Sequence, residues 1–210
     1  EAISGGQDRV LLVMATGTGK TVTAVMDAKR VGGRTLFVAH TMELVNQAYN
    51  TFKSIWNGVS VGKFADSVKD YDSHVICGSI QSVALNLDSF KDDDFDYIII
   101  DEAHRSVFGK YTAILDYFDA LMVGLTATPR EDVDRSTYEL FGLDGDPNFA
   151  YELAEAVDDK YLVNFAVLNR TSKHLREGIK YKDFTAAQKE QFEDIWKYEA
   201  ARSDDGSEPT

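Results

Sequence analysis

The sequence is poor in cysteine and in basic residues and has no long hydrophobic run, and each scarcity excludes a class of protein. Among its 210 residues, Cys77 is the single cysteine, so no internal disulfide can form and a disulfide-stabilised secreted scaffold is excluded. No apolar run reaches the ~18 residues of a membrane span. Residues 1–6 lack the basic region and hydrophobic stretch of a signal peptide. We therefore expect a cytoplasmic protein with no membrane partner.

The deficit of basic residues argues against a broadly cationic nucleic-acid surface. The chain has 22 basic and 35 acidic residues and a formal net charge of -13, whereas phosphate-binding surfaces are usually rich in lysine and arginine. The acidity is uneven, because residues 1–130 hold 12 basic and 16 acidic residues and residues 131–210 hold 10 and 19. The first part can therefore still present a local basic or amide-lined groove.

What is present is the composition of a globular domain, with 44% apolar and 27% charged residues. Short apolar runs alternate with segments of helical spacing. The runs at 97–100 and 121–125 are too continuously apolar for strands with one solvated face, which indicates a mainly parallel α/β sheet with helices on both faces. The predicted strands are 9–14, 35–39, 59–64, 74–78, 97–100 and 121–125, and the predicted helices are 19–31, 42–56 and 80–87.

The character of the sequence changes after Pro129. Residues 130–146 are charged and rich in turn formers, 150–157 have helical spacing, and 162–168 form a predicted strand. We expect one domain over 1–168 and a partly helical linker over 169–210. The linker contains a charged helix with an apolar side at 180–202 and a polar, disordered tail at 203–210.

A glycine-rich segment between the first strand and the first helix has the context of a phosphate-binding loop. Successive backbone N–H groups at a helix N-terminus can bind a polyphosphate, with Lys20 reaching the terminal phosphates and the Thr21 hydroxyl binding magnesium. The general pattern G-x-x-x-x-G-K-[ST] fails at its first position, where Met14 stands. The alternative is a glycine-rich turn with a surface lysine. The predicted loop residues are Thr16, Gly17, Thr18, Gly19, Lys20 and Thr21.

Two carboxylates follow the apolar run at 97–100, and hydroxyls follow the run at 121–125. Ligands of open α/β sheets bind at the carboxyl ends of the strands, so Asp101 is predicted to hold the metal and Glu102 to orient or deprotonate the attacking water. The alternative for this pair is a solvated loop start. Thr126 and Thr128, just before Pro129, should reach the same edge of the sheet.

These three segments, in this order, resemble motifs I, II and III of superfamily 2 helicases and translocases. The resemblance implies a RecA-like P-loop NTPase domain that uses ATP and Mg²⁺, with His104, Thr126 and Thr128 coupling the nucleotide site to the nucleic-acid path. Residues 37–47 and 78–82 resemble the segments that contact one nucleic-acid strand in that superfamily. These implied contacts are His40, Thr41, Gly78, Ser79 and Gln81. Without the resemblance, we would expect His40 and Gln81 to be satisfied polar residues at strand ends.

Within the superfamily, residues 101–106, 115–129 and several segments beyond 134 are similar to the motor (R) subunit of type I restriction enzymes. That resemblance implies a motor acting on double-stranded DNA, a second RecA-like domain that supplies an arginine finger, and specificity and methyltransferase subunits as partners. The adenine-reading glutamine of the family would precede residue 1.

Other interpretations remain open. A type III restriction subunit or another DEAH-type DNA helicase would share the three motifs. A P-loop switch or kinase, or a nucleotide-binding interaction module without turnover, would keep the loop and use it differently.

Overall fold

The computed structural model describes residues 8–103, 110–128, 133 and 135–164, and all of these lie in the first of two units into which the chain divides, Glu1–Asn164. Eight strands and six α-helices are present in these ranges. The strands are β1 (Arg9–Met14), β2 (Thr35–Ala39), β3 (Val61–Ala65), β4 (Val68–Lys69), β5 (Val75–Ser79), β6 (Tyr97–Asp101), β7 (Leu121–Thr126) and β8 (Phe149–Tyr151). The helices are α1 (Lys20–Val31), α2 (Met42–Ile55), α3 (Ile80–Ala84), α4 (Lys110–Tyr117), α5 (Arg135–Leu140) and α6 (Leu153–Asp158).

The strands form one sheet in the order β4-β3-β5-β2-β6-β7-β1-β8. Every neighbouring pair is parallel except β3 and β4, which are antiparallel. Helical crossovers join the parallel strands and place helices on the faces of the sheet. The mainly parallel sheet expected from the apolar runs is confirmed.

Helices cover both faces because alternate side chains of each central strand point in opposite directions. In β6, Tyr97 and Ile99 pack with α1 and α2 in one apolar cluster. Ile98 and Ile100 pack with α3, α4 and α5 in the other. All five residues of β6 are buried, which explains the continuous apolar run in the sequence.

The structure corrects the sequence-based prediction at three places. The predicted helix at 150–157 is a strand, β8, followed by the shorter helix α6. Helix α5 lies in the segment expected to be turn-rich, where Tyr138 is buried and Thr137 faces inward with it. Residues 162–164 are not part of a strand. The rest of the predicted strand at 162–168, the helix at 180–202 and the boundary at residue 168 lie outside the described residues and stay predictions.

The parallel strands bring their carboxyl ends to one edge of the sheet, hereafter the C-edge. The strands β1, β7 and β6 are consecutive neighbours, so the segments after Met14, Thr126 and Asp101 leave the sheet side by side. With strands ~4.8 Å apart, the first and last of these segments are only about 10 Å apart. In the part of the chain that the structure describes, no helix is long and apolar enough to cross a bilayer.

Candidate nucleotide-binding site at the C-edge

The predicted phosphate loop connects β1 to α1, and its backbone conformation depends on two glycines. Gly17 and Gly19 have φ of 90° and 89°, a left-handed region that costs glycine little and other residues much. The Thr18 hydroxyl donates to the Ala15 carbonyl at 2.6 Å and tightens the turn. Gly19 directly precedes α1 and has no side chain to cap its N–H groups, so the positive end of the helix remains available to an anion.

Met14 stands where the general pattern has glycine. Its backbone is that of a strand and does not need the conformational freedom of glycine. It is the last residue of β1, pairs with Tyr151 of β8 and is 6% exposed. A packed side chain in an extended strand therefore takes the place of the glycine, and the turn begins after it.

Lys20 lies inside the site rather than on the open surface. Its Nζ donates to the Met14 carbonyl at 3.2 Å across the loop. Burial lowers the pKa of this ammonium, and the nearby charges of Glu102 and Asp101 oppose that shift. Lys20 and the two carboxylates therefore belong to one electrostatic cluster, as sequence spacing predicted, although they are 81 and 82 residues apart in the chain.

Asp101 ends β6 as a carboxylate that is only 4% exposed. Burial and the adjacent charge of Glu102 raise its pKa, while the Glu102 N–H, Lys20 and His40 lower it. A buried carboxylate whose charge is disfavoured in this way favours a bound cation. The donor set therefore fits a hydrated magnesium ion shared with nucleotide phosphates.

Glu102 has a left-handed backbone, with φ of 56°. Its N–H lies 3.1 Å from Oδ1 of Asp101. A non-glycine residue in this region costs of order 1 kcal/mol and commonly occurs at functional sites. Glu102 is half-buried and directly follows Asp101, the predicted metal ligand. Because of this turn, the chain leaves the direction of β6 at Glu102.

The threonine segment leaves β7 between the phosphate loop and the acidic pair. Thr126 is fully buried, and its Oγ1 accepts a hydrogen bond from the Thr128 N–H at 3.1 Å. This short turn places Thr128, half-buried, at the C-edge. His104, the third residue predicted to couple the sites, and Pro129 lie outside the described residues.

The residues predicted to contact nucleic acid follow β2 and β5, on the other side of β6. Thr41 caps α2 by accepting from the Leu44 N–H at 3.3 Å, and Ser79 caps α3 by accepting from the Ser82 N–H at 3.2 Å. Gln81 is exposed, but Gly78 is buried within β5. A Cβ atom at Gly78 would lie 2.6 Å from Cγ2 of Val83, so this glycine also has a packing role.

His40 lies beside the acidic pair. Val38 is level with Ile100 in the paired strands β2 and β6, so His40 comes level with Glu102. The ring interacts electrostatically with Asp101. Its Nδ1 is buried and has no hydrogen-bond partner among the described residues.

Sequence reasoning missed the support that β8 and the residues after α6 give to the phosphate loop. The Ala15 N–H donates to the Tyr151 carbonyl at 2.9 Å. Leu162 packs over Gly17, where a Cβ atom would be 3.2 Å from its Cδ2. The three apolar and aromatic residues 149–151 are typical of a short strand. The residues after them have helical spacing, so the whole segment was predicted to be a helix.

Comparisons with known proteins show the family of the chain. A sequence profile of the family described as type III restriction enzyme, res subunit, matches residues 1–131. The EcoAI type I restriction enzyme endonuclease subunit of Escherichia coli is 39% identical over 184 residues, which cover 80% of this chain and 22% of that subunit.

Solved structures show the same fold. The fragment structure of a putative HsdR subunit of a type I restriction enzyme from Vibrio vulnificus YJ016 has a TM-score of 0.54 and 35% identity, covering 75% of this chain and 29% of that one. The Pyrococcus furiosus Hef helicase domain has a TM-score of 0.57 and 25% identity, with coverages of 72% and 36%. These likenesses confirm the RecA-like fold. The chain spans about a fifth of the length of the EcoAI subunit.

Proposed function

The chain belongs to the family of the type III restriction enzyme res subunit, and on this premise we propose that it is the ATP-binding half of a DNA-dependent ATPase and translocase motor. Its similarity to type I endonuclease subunits supports a motor (R) subunit as the parent protein. The observation that carries the proposal is the electrostatic cluster of Lys20, Asp101 and Glu102 beside the amide-lined loop.

Each residue of the cluster has a distinct task in this proposal. The loop 16–21 binds the polyphosphate through its N–H groups, and Lys20 places its charge against the terminal phosphates. Thr21 and Asp101 hold magnesium, which neutralises the developing charge on the phosphates when it is bound. Glu102 orients the attacking water and accepts its proton.

The proposal extends to the parts of the motor outside the described residues. A second RecA-like domain of the parent protein supplies the arginine that completes the site, which is worth ~10³ to 10⁵ in rate in related phosphoryl-transfer systems. Double-stranded DNA is the track, and specificity and methyltransferase subunits are the partners, in a cytoplasmic assembly. The 210-residue chain by itself then binds nucleotide but hydrolyses it slowly.

Nucleotide-dependent thermal unfolding tests the binding role of Lys20. MgATP at 100 times its dissociation constant stabilises the native state by ~2.7 kcal/mol. Lys20→Ala removes the partly desolvated charge that faces the phosphates and should abolish most of this gain. Lys91→Ala, an exposed lysine in the loop before β6, is the control and should keep it. An equal gain in wild type and Lys20→Ala would reject the proposed site.

Glu102→Gln separates binding from hydrolysis. The amide cannot accept the proton of the attacking water, so the full-length protein carrying it should bind MgATP normally and lose DNA-stimulated hydrolysis. Phosphate release measured with and without duplex DNA checks this expectation. Normal turnover by the variant would show that another group activates the water.

The two threonines are proposed to transmit the nucleotide state to the DNA path. The Thr126–Thr128 turn lies between the loop and the acidic pair. In the full-length protein, replacing both residues by alanine should preserve MgATP binding while translocation along duplex DNA is lost. Retention of both activities would contradict the coupling role.

Strand separation is the second candidate activity. The likeness to the Hef helicase domain favours it. A fork-shaped DNA substrate with one labelled strand distinguishes the two activities, since a translocase moves along the duplex without releasing that strand.

A further inference from the structure

Two lysine side chains converge on one tyrosine ring at the side of the sheet, away from the nucleotide site. The Nζ of Lys63, on β3, lies 4.4 Å from the centre of the Tyr49 ring and 2.6 Å from Oδ1 of Asn46. The Nζ of Lys53 lies 5.1 Å from the same centre and 3.2 Å from the Tyr49 hydroxyl. We call Lys53, Lys63, Tyr49 and Asn46 the lysine patch.

The lysine patch lacks counter-charge in a strongly acidic chain. Among the described residues, neither ammonium has a carboxylate within ion-pair distance, whereas Arg9, Arg34 and Arg135 each have one. The single acidic residue of α2, Glu43, lies in its first turn. Two ammonium groups held on one ring repel each other, and a bound anion would relieve that repulsion.

Tyr49 and Asn46 hold the two lysine side chains in place before an anion binds. Tyr49 is half-buried and Asn46 fixes the Nζ of Lys63, so binding an anion immobilises fewer free rotamers than at an ordinary surface lysine. Contacts of ammonium groups with an aromatic face are favourable, because the face of the ring carries partial negative charge. This arrangement holds two ammonium groups on one tyrosine side chain, with Lys53 exposed and Lys63 half-buried.

The position of the patch points to the kind of anion. Helix α2 begins directly after His40 and Thr41, which the resemblance to superfamily 2 helicases implies as nucleic-acid contacts. Asn46 lies in its second turn, and Lys53 lies about 16 Å along the axis from Met42. Since one DNA strand carries a phosphate every ~3.4 Å of axis, this length corresponds to about five phosphates.

We propose that the lysine patch binds backbone phosphates of duplex DNA and extends the DNA path from the C-edge along α2 and β3. The inference rests on the proposed function, because it takes the segment after β2 as the start of the path. The patch contributes positioning and affinity without base specificity, as phosphate contacts do.

Salt dependence of DNA binding tests the patch in the full-length protein. Each lost phosphate contact reduces the slope of log affinity against log salt by ~0.9. With a labelled duplex of mixed sequence and a series of KCl concentrations, Lys53→Ala/Lys63→Ala should bind more weakly, with a slope shallower by ~1 to 2. Lys53→Arg/Lys63→Arg keeps both charges and should restore binding.

The matched control is Lys91→Ala/Lys160→Ala, which removes the same charge at two exposed lysines outside α2 and β3 and should leave the slope unchanged. Thermal unfolding with and without MgATP is measured for every variant. If the patch and control variants have equal affinity and slope while all retain the MgATP gain, the patch is wrong and the proposed function stands. If wild type shows neither a MgATP gain nor duplex binding, both are wrong.

Discussion

At the scale of single residues, the candidate site is held in an arrangement that is unfavourable without its ligand. Asp101 is a buried carboxylate beside a second carboxylate, and Lys20 is a partly buried ammonium. Their mutual attraction offsets only part of the desolvation cost. The buried charges therefore make the free protein less stable, and such a cost is common at functional sites.

Replacing Asp101 by asparagine should separate stability from function. The substitution removes the buried charge and keeps the shape of the side chain, so the melting temperature of the free protein should stay equal or rise, by ~2–4 °C for each kcal/mol gained. The additional stabilisation by MgATP should disappear, because the proposed metal ligand is lost. Thermal unfolding with and without MgATP measures both effects. A lower melting temperature of the free variant would show that the carboxylate stabilises the fold.

Residue types and their order predicted that Lys20, Asp101 and Glu102 lie together, but not the surroundings of these residues. The order of loop, acidic pair and threonines was sufficient to place Lys20 and Asp101 at one edge of a parallel sheet. The position of His40 beside Asp101 depends on β2 and β6 being neighbours, which a local pattern does not encode. The left-handed backbone of Glu102 was likewise invisible, because its residue type does not favour that conformation.

At the scale of secondary-structure elements, close contacts between strands and helices position the acidic pair. Gly124 of β7 lies where a Cβ atom would be 2.5 Å from Cζ of Phe141 and 2.9 Å from Cβ of Ala103. The absence of a side chain there lets the segment after α5 and the turn after β6 approach the sheet. Packing around Gly124 of β7 therefore helps to position the turn that contains Glu102.

Gly124→Ala should destabilise the domain by overpacking. Inserting a methyl group into a filled core typically costs ~1–3 kcal/mol. We expect a correspondingly lower melting temperature, measured by thermal unfolding. Phe141→Leu in the same chain provides room for the added methyl group and should recover part of the loss. Equal melting temperatures for wild type and Gly124→Ala would mean that the backbone moves freely at this point.

A partly buried hydrogen bond joins α1, the helix that follows the phosphate loop, to β6, the strand that precedes the acidic pair. The Tyr97 hydroxyl donates to Oδ2 of Asp27, on α1, at 2.6 Å. Burial and this carboxylate raise the pKa of the phenol well above its usual range. The hydroxyl therefore remains a donor throughout the physiological range.

Tyr97→Phe should weaken this connection between α1 and β6. Loss of one hydrogen bond to a half-buried carboxylate should cost ~1.5–3 kcal/mol. The free energy of unfolding in urea measures the loss. Tyr161→Phe, at a residue that is 77% exposed, is the control and should be neutral. A neutral Tyr97→Phe would show that water replaces the bond.

At the scale of the whole molecule, burial is uneven across the sheet. The central strands β2, β5 and β6 are buried along their full length. The edge strands β4 and β8 are short and partly exposed. Apolar runs in the sequence revealed the central strands, whereas the two edge strands are too short for periodicity to detect. The central strands and the helices on both faces of the sheet were therefore predictable, whereas the edge strands β4 and β8 were not.

Hydrogen exchange should follow this gradient. Amides in elements with many buried contacts exchange through opening of the whole domain, and those at edges exchange through local opening. We expect the slowest exchange in β2, β5 and β6 and markedly faster exchange in β4 and β8. Exchange measured by mass spectrometry on the free protein checks this order. Uniform protection across all eight strands would indicate that the sheet opens as a single unit.

The short links from β8 and Leu162 to the phosphate loop have a mechanical consequence. Tyr151 accepts a hydrogen bond from Ala15, Leu162 rests on Gly17, and the Tyr151 hydroxyl donates to Oδ2 of Asp159 at 2.9 Å. Tension applied to the chain beyond Asn164 would thus reach the loop before it could loosen the central strands. In the proposed motor, a load transmitted through β8 or Leu162 would therefore act directly on the nucleotide-binding loop.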